Sequence, residues 1–396
     1  MTGILLRVPP ARPWAARFFC AVLAFAAACL APARALAQDK SAITIAQVAP
    51  FSGPMAFYAQ SLHEGMQAYF GWINQQGGVR GRRVELLAVD TPLDPERTLQ
   101  AYAQAAMLHN PVAFVYPLSP TVIDALMDAK IARRLGIPIV GTVPQMYRRR
   151  HPVDPDQFFV GVSDAREVRK IVEHIATLGM RRIAVVHWND ATTTGLVDII
   201  RREAASRGVA VVREFPILPD GRGDLAGAIE GLDKEGRSAS AVISLLAAPE
   251  TAKLVSDLRA RGNRMAVYGP SYNDASLISR HAENGSHHGM SISQTVPNPD
   301  SLMLPLAIDF RKHFAEHVPR SGFNSLSFQG YIAARLIVQA LLRCPDPKSA
   351  ACLRQELENT RPHDLGGLTA GYSASNHDGL SYVDIGVISR SGKLIR

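Results

Sequence analysis

The chain has 396 residues, of which 47% are hydrophobic and 20% are charged, and its formal net charge is +8. Four of its arginines lie within residues 1–37, which contain no acidic residue, so the rest of the chain carries only about +4. This mild charge, without aromatic residues interleaved among the basic ones, is not typical of a nucleic-acid-binding protein. The length is sufficient for more than one average domain.

Residues 1–37 have the pattern of a signal peptide. A basic start containing Arg7, Arg12 and Arg17 precedes an apolar run over residues 18–30, which is too short to cross a bilayer comfortably. The sequence Ala35-Leu36-Ala37 then forms a small-x-small cleavage signal. We predict cleavage after Ala37 and export to the periplasm. A lipoprotein anchored at Cys29 is the alternative, and the alanines before this cysteine disfavour it.

After residue 42, short apolar runs alternate with amphipathic segments. The runs predict strands, and the segments predict helices because their apolar residues recur at helical spacing. The predicted strands cover residues 43–50, 84–90, 113–118 and 137–143, and the predicted helices cover residues 62–75, 95–108 and 121–135. This alternation is typical of a parallel sheet with helices on both faces.

A second round of the same kind begins near residue 158 and is followed by a mostly helical tail. Predicted strands lie at residues 158–162, 182–188, 209–215, 241–246 and 265–269, and predicted helices at residues 165–178, 196–207, 224–234, 249–261 and 274–281. The tail predicts helices at residues 302–317, 326–342 and 349–359, then strands at residues 366–375 and 382–389.

The predicted fold is therefore α/β, with two doubly wound parallel-sheet lobes joined by a hinge of three crossings. The helical tail is best explained if the chain returns to complete the first lobe and then crosses once more. The expected first lobe consists of residues 42–161 and 295–378. The expected second lobe consists of residues 162–294 and 379–396.

Ser119, Pro120 and Thr121 lie where a predicted strand ends and the next helix begins. Serine can cap that helix, and proline suits its first turn. A helix that starts at the carboxyl end of a strand leaves unpaired N–H groups that can bind a carboxylate or a phosphate. An ordinary strand–helix turn with a good cap explains the same residues. These three residues alone therefore do not distinguish an anion site from such a turn.

Several stretches carry a resemblance to a known family. They are Pro50-Phe51-Ser52-Gly53-Pro54 followed by Tyr58, Gly65 to Asn74, Gly77-Gly78-Val79-Arg80-Gly81, Asp90-Thr91 with Asp94-Pro95 and Ala101, Ser119-Pro120-Thr121, the strand that starts at Arg182, and Gly269-Pro270. In this order and spacing, the chain from residue 42 onwards resembles the type I periplasmic solute-binding proteins. This branch includes the leucine/isoleucine/valine-binding protein of ABC importers.

The resemblance implies a protein without enzymatic activity, cofactor or metal, whose partners are a small-molecule carboxylate and the permease subunits of an ABC transporter. It implies that Ser119 to Thr121 hold the ligand carboxylate, that Tyr58 covers it and that Trp188 faces it from the second lobe. The full set of expected ligand-binding residues is Tyr58, Leu118, Ser119, Pro120, Thr121, Val143, Gln145, Trp188, Thr192, Ala247, Ser271 and Tyr272.

Three positions depart from the family pattern. In the loop at 245–248, leucines and alanines replace the family's aromatic residue. Gln145 stands where the family donates a threonine hydroxyl, and Ser271 stands where amino-acid binders place the acid that receives the ligand ammonium. An unpaired ammonium in a closed cleft costs several kcal/mol. The hypothesis is therefore an aromatic or apolar acid as the ligand, rather than an α-amino acid. The alternatives are an amino-acid-binding protein of the same family and a ligand-sensing module of a regulatory system.

Cys344 and Cys352 lie outside the leader, eight residues apart, and an oxidising compartment favours a disulfide between them. A metal pair is disfavoured because no histidine is close in sequence. Such a disulfide would join the end of the helix at 326–342 to the start of the next.

Three other patterns have weaker functional interpretations. His313, Glu316 and His317 match the H-x-x-E-H pattern of zinc peptidases, which would suit an exported hydrolase, but a surface helix explains them better. The pair His287-His288 could bind a metal, although a loop or edge strand is the simpler explanation. Arg148 to Arg150 could attract an anion or contact a permease, and a solvated loop is the default interpretation.

Overall fold

The structure is a computed structural model that describes residues 41–218, 225–235 and 238–395. The expected signal peptide, including Cys29, and the start of the helix expected at residue 224 lie outside the described residues. From Ala42 onwards the chain forms one compact unit.

The strands of the described residues are β1 (Ile43–Ala49), β2 (Val84–Asp90), β3 (Ala113–Val115), β4 (Ile139–Val140), β5 (Gln157–Phe158), β6 (Arg182–Trp188), β7 (Ala210–Ile217), β8 (Ala241–Leu245), β9 (Ala266–Gly269), β10 (Ser291–Gln294), β11 (His363–Asp364), β12 (Thr369–Ala370), β13 (Asp384–Ile388) and β14 (Leu394–Ile395). The helices are α1 (Ala56–Gln75), α2 (Pro95–His109), α3 (Pro120–Asp128), α4 (Ile131–Leu135), α5 (Asp164–Thr177), α6 (Ala191–Ser206), α7 (Leu225–Glu235), α8 (Ala248–Ala260), α9 (Ala275–His281), α10 (Pro305–His317), α11 (Ser325–Arg343) and α12 (Ala350–Glu358).

The first sheet has the strand order β2-β1-β3-β4-β5, and all of its pairings are parallel. Its interior strand β1 is buried on both faces, as the near-continuous apolar run predicts. Ile43 and Ile45 share a core cluster with residues of α1 and α11, whereas Ala46 and Val48 share a cluster with residues of α2 and α3. The strand therefore separates two helical layers, which is the doubly wound arrangement.

The second sheet has the order β14-β13-β10-β9-β8-β6-β7. The pairings from β10 to β7 are parallel, but β13 pairs antiparallel with β10 and with β14. Ile183 and Val185 of β6 face a cluster formed with α5 and α6, and Ala184 and Val186 face the larger core on the other side. The parallel expectation is thus correct except at the edge added by the returning tail.

The chain passes three times between the two sheets, after β5, after β10 and after β12. The helices α10 and α11 follow β10 and pack on α1, a helix of the first lobe. The tail therefore returns to the first lobe before β13 and β14 extend the second sheet. The predicted fold of two α/β lobes with three crossings is confirmed.

Several element boundaries differ from the prediction. The helix expected at 121–135 is divided into α3 and α4, because Lys130 adopts a left-handed φ of 51° between them. Gly136 then ends α4 in the same conformation. The strand expected at 366–375 is reduced to the two residues of β12, since this segment forms a small hairpin with β11.

The helices α1 and α11 pack unusually closely because each presents a glycine at the contact. A Cβ atom on Gly65 would lie 1.7 Å from the carbonyl oxygen of Ser327, and one on Gly330 would lie 2.2 Å from that of Leu62. By length and a mean hydropathy of 1.2, α11 could cross a membrane, but 78% of its apolar window is buried inside the protein. The structure joins its end to α12 through a disulfide between Cys344 and Cys352, as the sequence predicts.

Replacing Gly65 with alanine tests this close contact. The added Cβ overlaps a backbone oxygen that cannot rotate away, so we expect a loss of about 2 kcal/mol or more in the free energy of unfolding. Gly322→Ala is the matched control, because no atom lies within 4 Å of a Cβ at that position. Urea unfolding followed by circular dichroism measures both. Equal stability of the two variants would contradict the proposed packing.

Candidate functional site

A cavity of about 340 Å³ lies between the two lobes, where several helices begin. The first turns of α1 and α3 border it from the first lobe, and the starts of α5, α6 and α8 border it from the second. Helix starts present N–H groups without intrahelical acceptors, together with the positive end of the helix dipole. Several helix starts therefore converge on one cavity, whose walls are otherwise largely apolar.

Ten of the twelve expected ligand-binding residues border this cavity. They are Tyr58, Leu118, Ser119, Pro120, Thr121, Val143, Trp188, Thr192, Ala247 and Tyr272. The other lining residues are Met55, Leu93, Pro144, Asp164, Asp190, Thr193, Leu196 and Glu250.

Ser119 precedes α3 but does not cap it through its side chain, which corrects the sequence interpretation. Its φ is 78°, its side chain forms no hydrogen bond with the N–H groups of the helix, and its Oγ lies 2.9 Å from Oγ1 of Thr121. Pro120 has no N–H, so the N–H groups of Thr121 and Val122 remain as the donors of the first turn. The uncapped turn and the two hydroxyls can all bind the same oxygen atoms of a ligand.

Tyr58 connects the two lobes at the edge of the cavity. Its hydroxyl accepts a hydrogen bond of 3.3 Å from the N–H of Ala248, at the start of α8. The side chain is almost fully buried, and burial raises the pKa of its phenol, which stays neutral. Tyr58 therefore borders the cavity and contacts the opposite lobe.

Gln145 and Ser271 do not border the cavity, contrary to expectation. Gln145 is buried, where its amide donates to the carbonyl of Thr142 and its oxygen accepts from Arg150 at 3.1 Å. The N–H of Ser271 donates to the carboxylate of Glu167 at 2.7 Å. Gln145 is thus held by near neighbours in the chain, whereas the partner of Ser271 is distant in sequence, which a register argument along the chain cannot detect.

Three acidic residues that sequence analysis did not select line the cavity. Asp190 caps α6, and its Oδ1 accepts from the N–H groups of Thr192 and Thr193 at 2.8 and 2.9 Å. Asp164 and Glu250 differ, because each has one buried carboxylate oxygen, Oδ2 and Oε2, without a hydrogen-bond partner. A buried polar atom without a partner is costly. These two oxygens therefore have unused hydrogen-bonding capacity beside the cavity. Asp164 and Glu250 lie at helix starts, as Ser119 does, so a search of the sequence for helix starts would have located them.

Asp164 is the most perturbed of these acids. Its Oδ1 accepts from the N–H groups of Tyr147 and Ala165 at 2.9 and 2.8 Å. Burial, reinforced by the neighbouring charge of Glu167, raises the pKa of Asp164 to about 7, although these two bonds and Arg150 oppose the shift. Burial also raises the pKa of Glu250. The cavity thus contains one carboxyl group, that of Asp164, that can be neutral near physiological pH.

Residues 42–393 match the model of a protein family described as periplasmic binding protein. The chain belongs to this family. A curated relative, the Leu/Ile/Val-binding protein homolog 3 of Brucella melitensis, is 20% identical over 84% of this chain and 87% of its own length.

Solved structures of periplasmic binding proteins have the same fold. An extracellular ligand-binding receptor from Verminephrobacter eiseniae is 27% identical over 90% of this chain and all of its own, with a TM-score of 0.81. A substrate-binding periplasmic protein from Ralstonia solanacearum is 25% identical over 89% of this chain and 99% of its own, with a TM-score of 0.82. This periplasmic binding protein therefore belongs to the branch that resembles the leucine/isoleucine/valine-binding proteins.

The remaining histidine patterns have structural roles in this periplasmic binding protein. His313 is buried, stacks on Trp72 with ring centroids 4.7 Å apart and lies 2.8 Å from the hydroxyl of Tyr331. His287 is buried near the carbonyl of Arg390. Within the described ranges, no group of three or more potential metal ligands is present. The helix with H-x-x-E-H is therefore less exposed than expected, because His313 belongs to the core.

The predicted solvated loop at 148–150 is also partly wrong. Arg150 is buried, forms an ion pair with Asp378 and lies over the ring of Phe159. Its Nη2 also donates to the carbonyl of Gly161 at 3.0 Å. Arg148 and Arg149 remain at the surface, where only Arg149 forms salt bridges, with Asp124 and Asp128.

The raised pKa of Asp164 predicts a dependence of stability on pH. Its carboxyl is easier to protonate in the folded protein than in the unfolded chain. Its stabilising contribution is therefore complete below about pH 4 and is lost as the pH rises through about 7. We expect the wild-type melting temperature to fall from pH 5 to pH 8 by about 3 °C or more beyond that of Asp164→Asn.

The control variant is Asp257→Asn, at an exposed carboxylate of α8 that pairs with Lys253. It should keep the wild-type pH dependence. Parallel melting profiles for all three proteins would show that Asp164 is not perturbed.

Proposed function

We propose that this protein is the solute-binding component of an ABC importer, and that it binds a small carboxylate with an apolar or aromatic body between its lobes. The family supports a solute-binding role without catalysis. The observation that carries the proposal is the uncapped first turn of α3, where Ser119 and Thr121 border a largely apolar cavity. Neutral donors at a helix start suit an exchangeable anion, since no fixed cation retains it.

Tyr58, Trp188 and Tyr272 supply aromatic surface for the body of such a ligand. Ligand contacts to both lobes would stabilise the closed arrangement that the permease recognises. In this proposal residues 1–37 are a signal peptide removed on export. Residues 42–161 with 295–378 form one moving lobe, and residues 162–294 with 379–396 form the other.

Loss of the two hydroxyls tests the carboxylate site. Ser119→Ala and Thr121→Val should each weaken binding of benzoate-like acids about tenfold or more, as expected for a hydrogen bond to a charged group. Isothermal titration calorimetry measures the affinities, and Ser391→Ala, in the loop before β14, is the matched control. Unchanged affinity in both variants would overturn the role of the α3 start.

A ligand that also carries an amino group is the second candidate. The unpartnered oxygens of Asp164 and Glu250 favour it, because they can receive an ammonium although Ser271 cannot. Solved structures of this fold contain leucine in a Desulfitobacterium hafniense protein and benzoate in one from R. palustris. They are 19% and 17% identical to this chain, so the likeness extends to the fold alone.

The pH dependence of binding distinguishes the two ligand classes. As Asp164 ionises near pH 7, it repels a simple carboxylate but attracts an ammonium. Between pH 6 and 8 we expect the affinity for a benzoate-like acid to fall by about tenfold, and the affinity for leucine, if it binds, to rise by a similar factor. Calorimetry at both pH values makes the measurement. Asp164→Asn should remove either trend, and Asp257→Asn should keep it.

The simple-carboxylate proposal is replaced by the amino-acid one if leucine binds tightly, its affinity rises with pH and benzoate-like acids do not bind. Binding of neither class, in a ligand panel followed by thermal shift, would refute both.

A further inference from the structure

A second cavity, of about 290 Å³, lies on the surface of the first lobe, outside the cleft. We call it the basic pocket. It is formed by the end of α3, the start of α4 and the loop after residue 148. Its ionisable lining consists of five residues that can be cationic and one that is acidic, namely Lys130, Arg133, Arg148, Arg149, His151 and Asp154.

The positive charge of the basic pocket is only partly neutralised. Arg149 forms salt bridges with Asp124 and Asp128, so it contributes little net charge. Lys130, Arg133 and Arg148 form no salt bridge with any residue that the structure describes. Arg133 also acts electrostatically on Asp156, which faces the adjoining cavity. Cations grouped around a concave surface create a local positive potential that attracts anions.

The loop that carries Arg148 and His151 is anchored to the interior of the protein through Arg150. Arg150 is turned into the protein, where it binds Asp378, the side chain of Gln145 and the carbonyl of Gly161. Because Arg150 is fixed inside, its neighbours Arg148 and His151 are displayed at the surface. On the opposite wall, Lys130 holds a left-handed conformation between two helices. A site with a fixed backbone loses less entropy when it binds a ligand.

Arg148 also reaches the second lobe. Its Nη1 lies 3.4 Å from Oγ1 of Thr192, and Thr192 borders the cleft. The basic pocket and the cleft are therefore adjacent, with Arg148 at their boundary. A test of the pocket must change Lys130 and Arg133 rather than Arg148, so that the cleft stays intact.

We propose that the basic pocket binds a small, multiply charged oxyanion, for which inorganic phosphate is the probe. Lys130 and Arg133 contact the anion from the α3–α4 junction, and Arg148 contacts it from the opposite wall. The guanidinium groups present paired N–H donors that match the oxygens of such an anion. The site is separate from the ligand cleft, so it does not depend on which solute the cleft takes.

The experiment is calorimetric titration of the purified protein with phosphate at pH 7.5, with sodium chloride keeping the ionic strength constant. We expect saturable binding and a higher melting temperature. The double variant K130Q/R133Q should weaken binding about tenfold or more. The control K312Q/R320Q removes two exposed cations of α10 and the following turn and should bind like wild type.

Asp154→Asn should change the affinity for phosphate in the opposite direction. It removes the acidic residue of the lining but keeps an oxygen for the N–H of Asp156, so phosphate should bind about twofold or more tightly. This variant keeps the proposal testable if K130Q/R133Q does not fold.

The proposal is overturned if phosphate has no effect beyond that of chloride at equal ionic strength, or if K130Q/R133Q folds and binds like wild type. A glutamate hexapeptide that binds where phosphate does not would also overturn it. That result would assign the pocket to an acidic polypeptide instead.

Discussion

The parallel direction of the strands is the constraint on which the rest of this structure depends. Parallel strands deliver their carboxyl ends, and the starts of the helices that follow, to one edge of each sheet. Here those edges face one another, so α3 from one lobe meets α5, α6 and α8 from the other. Each helix start brings N–H groups without intrahelical acceptors to the same small volume. The convergence of helix starts on the cleft is therefore a consequence of topology before any side chain is considered.

The side chains then determine which of these N–H groups have hydrogen-bond partners. Asp190 satisfies the N–H groups of its own helix and contributes little else. Asp164 and Glu250 each have one buried oxygen without a hydrogen-bond partner. At the start of α3, N–H groups rather than carboxyl oxygens lack partners, because Ser119 does not cap the helix. One side of the cleft therefore offers donors and the other offers carboxyl oxygens, which restricts the orientation of a ligand that presents both kinds of group.

The fold and much of the candidate site could be predicted from sequence because both depend on local patterns. The strand of Ala113–Val115 and the turn at Ser119 are visible in a short window. Some errors are local, such as the missing cap at Ser119, but those at Arg150 and Ser271 concern contacts between residues far apart in sequence. Arg150 is buried because it meets Asp378, more than two hundred residues later, and this pair removes Gln145 from the cleft. Ser271 is likewise held by Glu167. The periodicity of apolar residues does not indicate such distant partners. The unpartnered oxygens of Asp164 and Glu250 can likewise be identified only from the three-dimensional structure.

The contacts that join the lobes around the cleft are few and individually weak. The hydroxyl of Tyr58 meets the N–H of Ala248 at 3.3 Å, Arg148 meets Thr192 at 3.4 Å, and Asp274 accepts from the N–H of Ser325 at 3.2 Å. Hydrogen bonds of this kind contribute about 1 kcal/mol each. A ligand that touches both lobes can gain a comparable free energy only when they approach, and a difference of about 3 kcal/mol already changes a two-state population more than a hundredfold. Closure can therefore be set by a ligand of very few atoms, provided that it satisfies the uncapped turn of α3 and the second lobe at once.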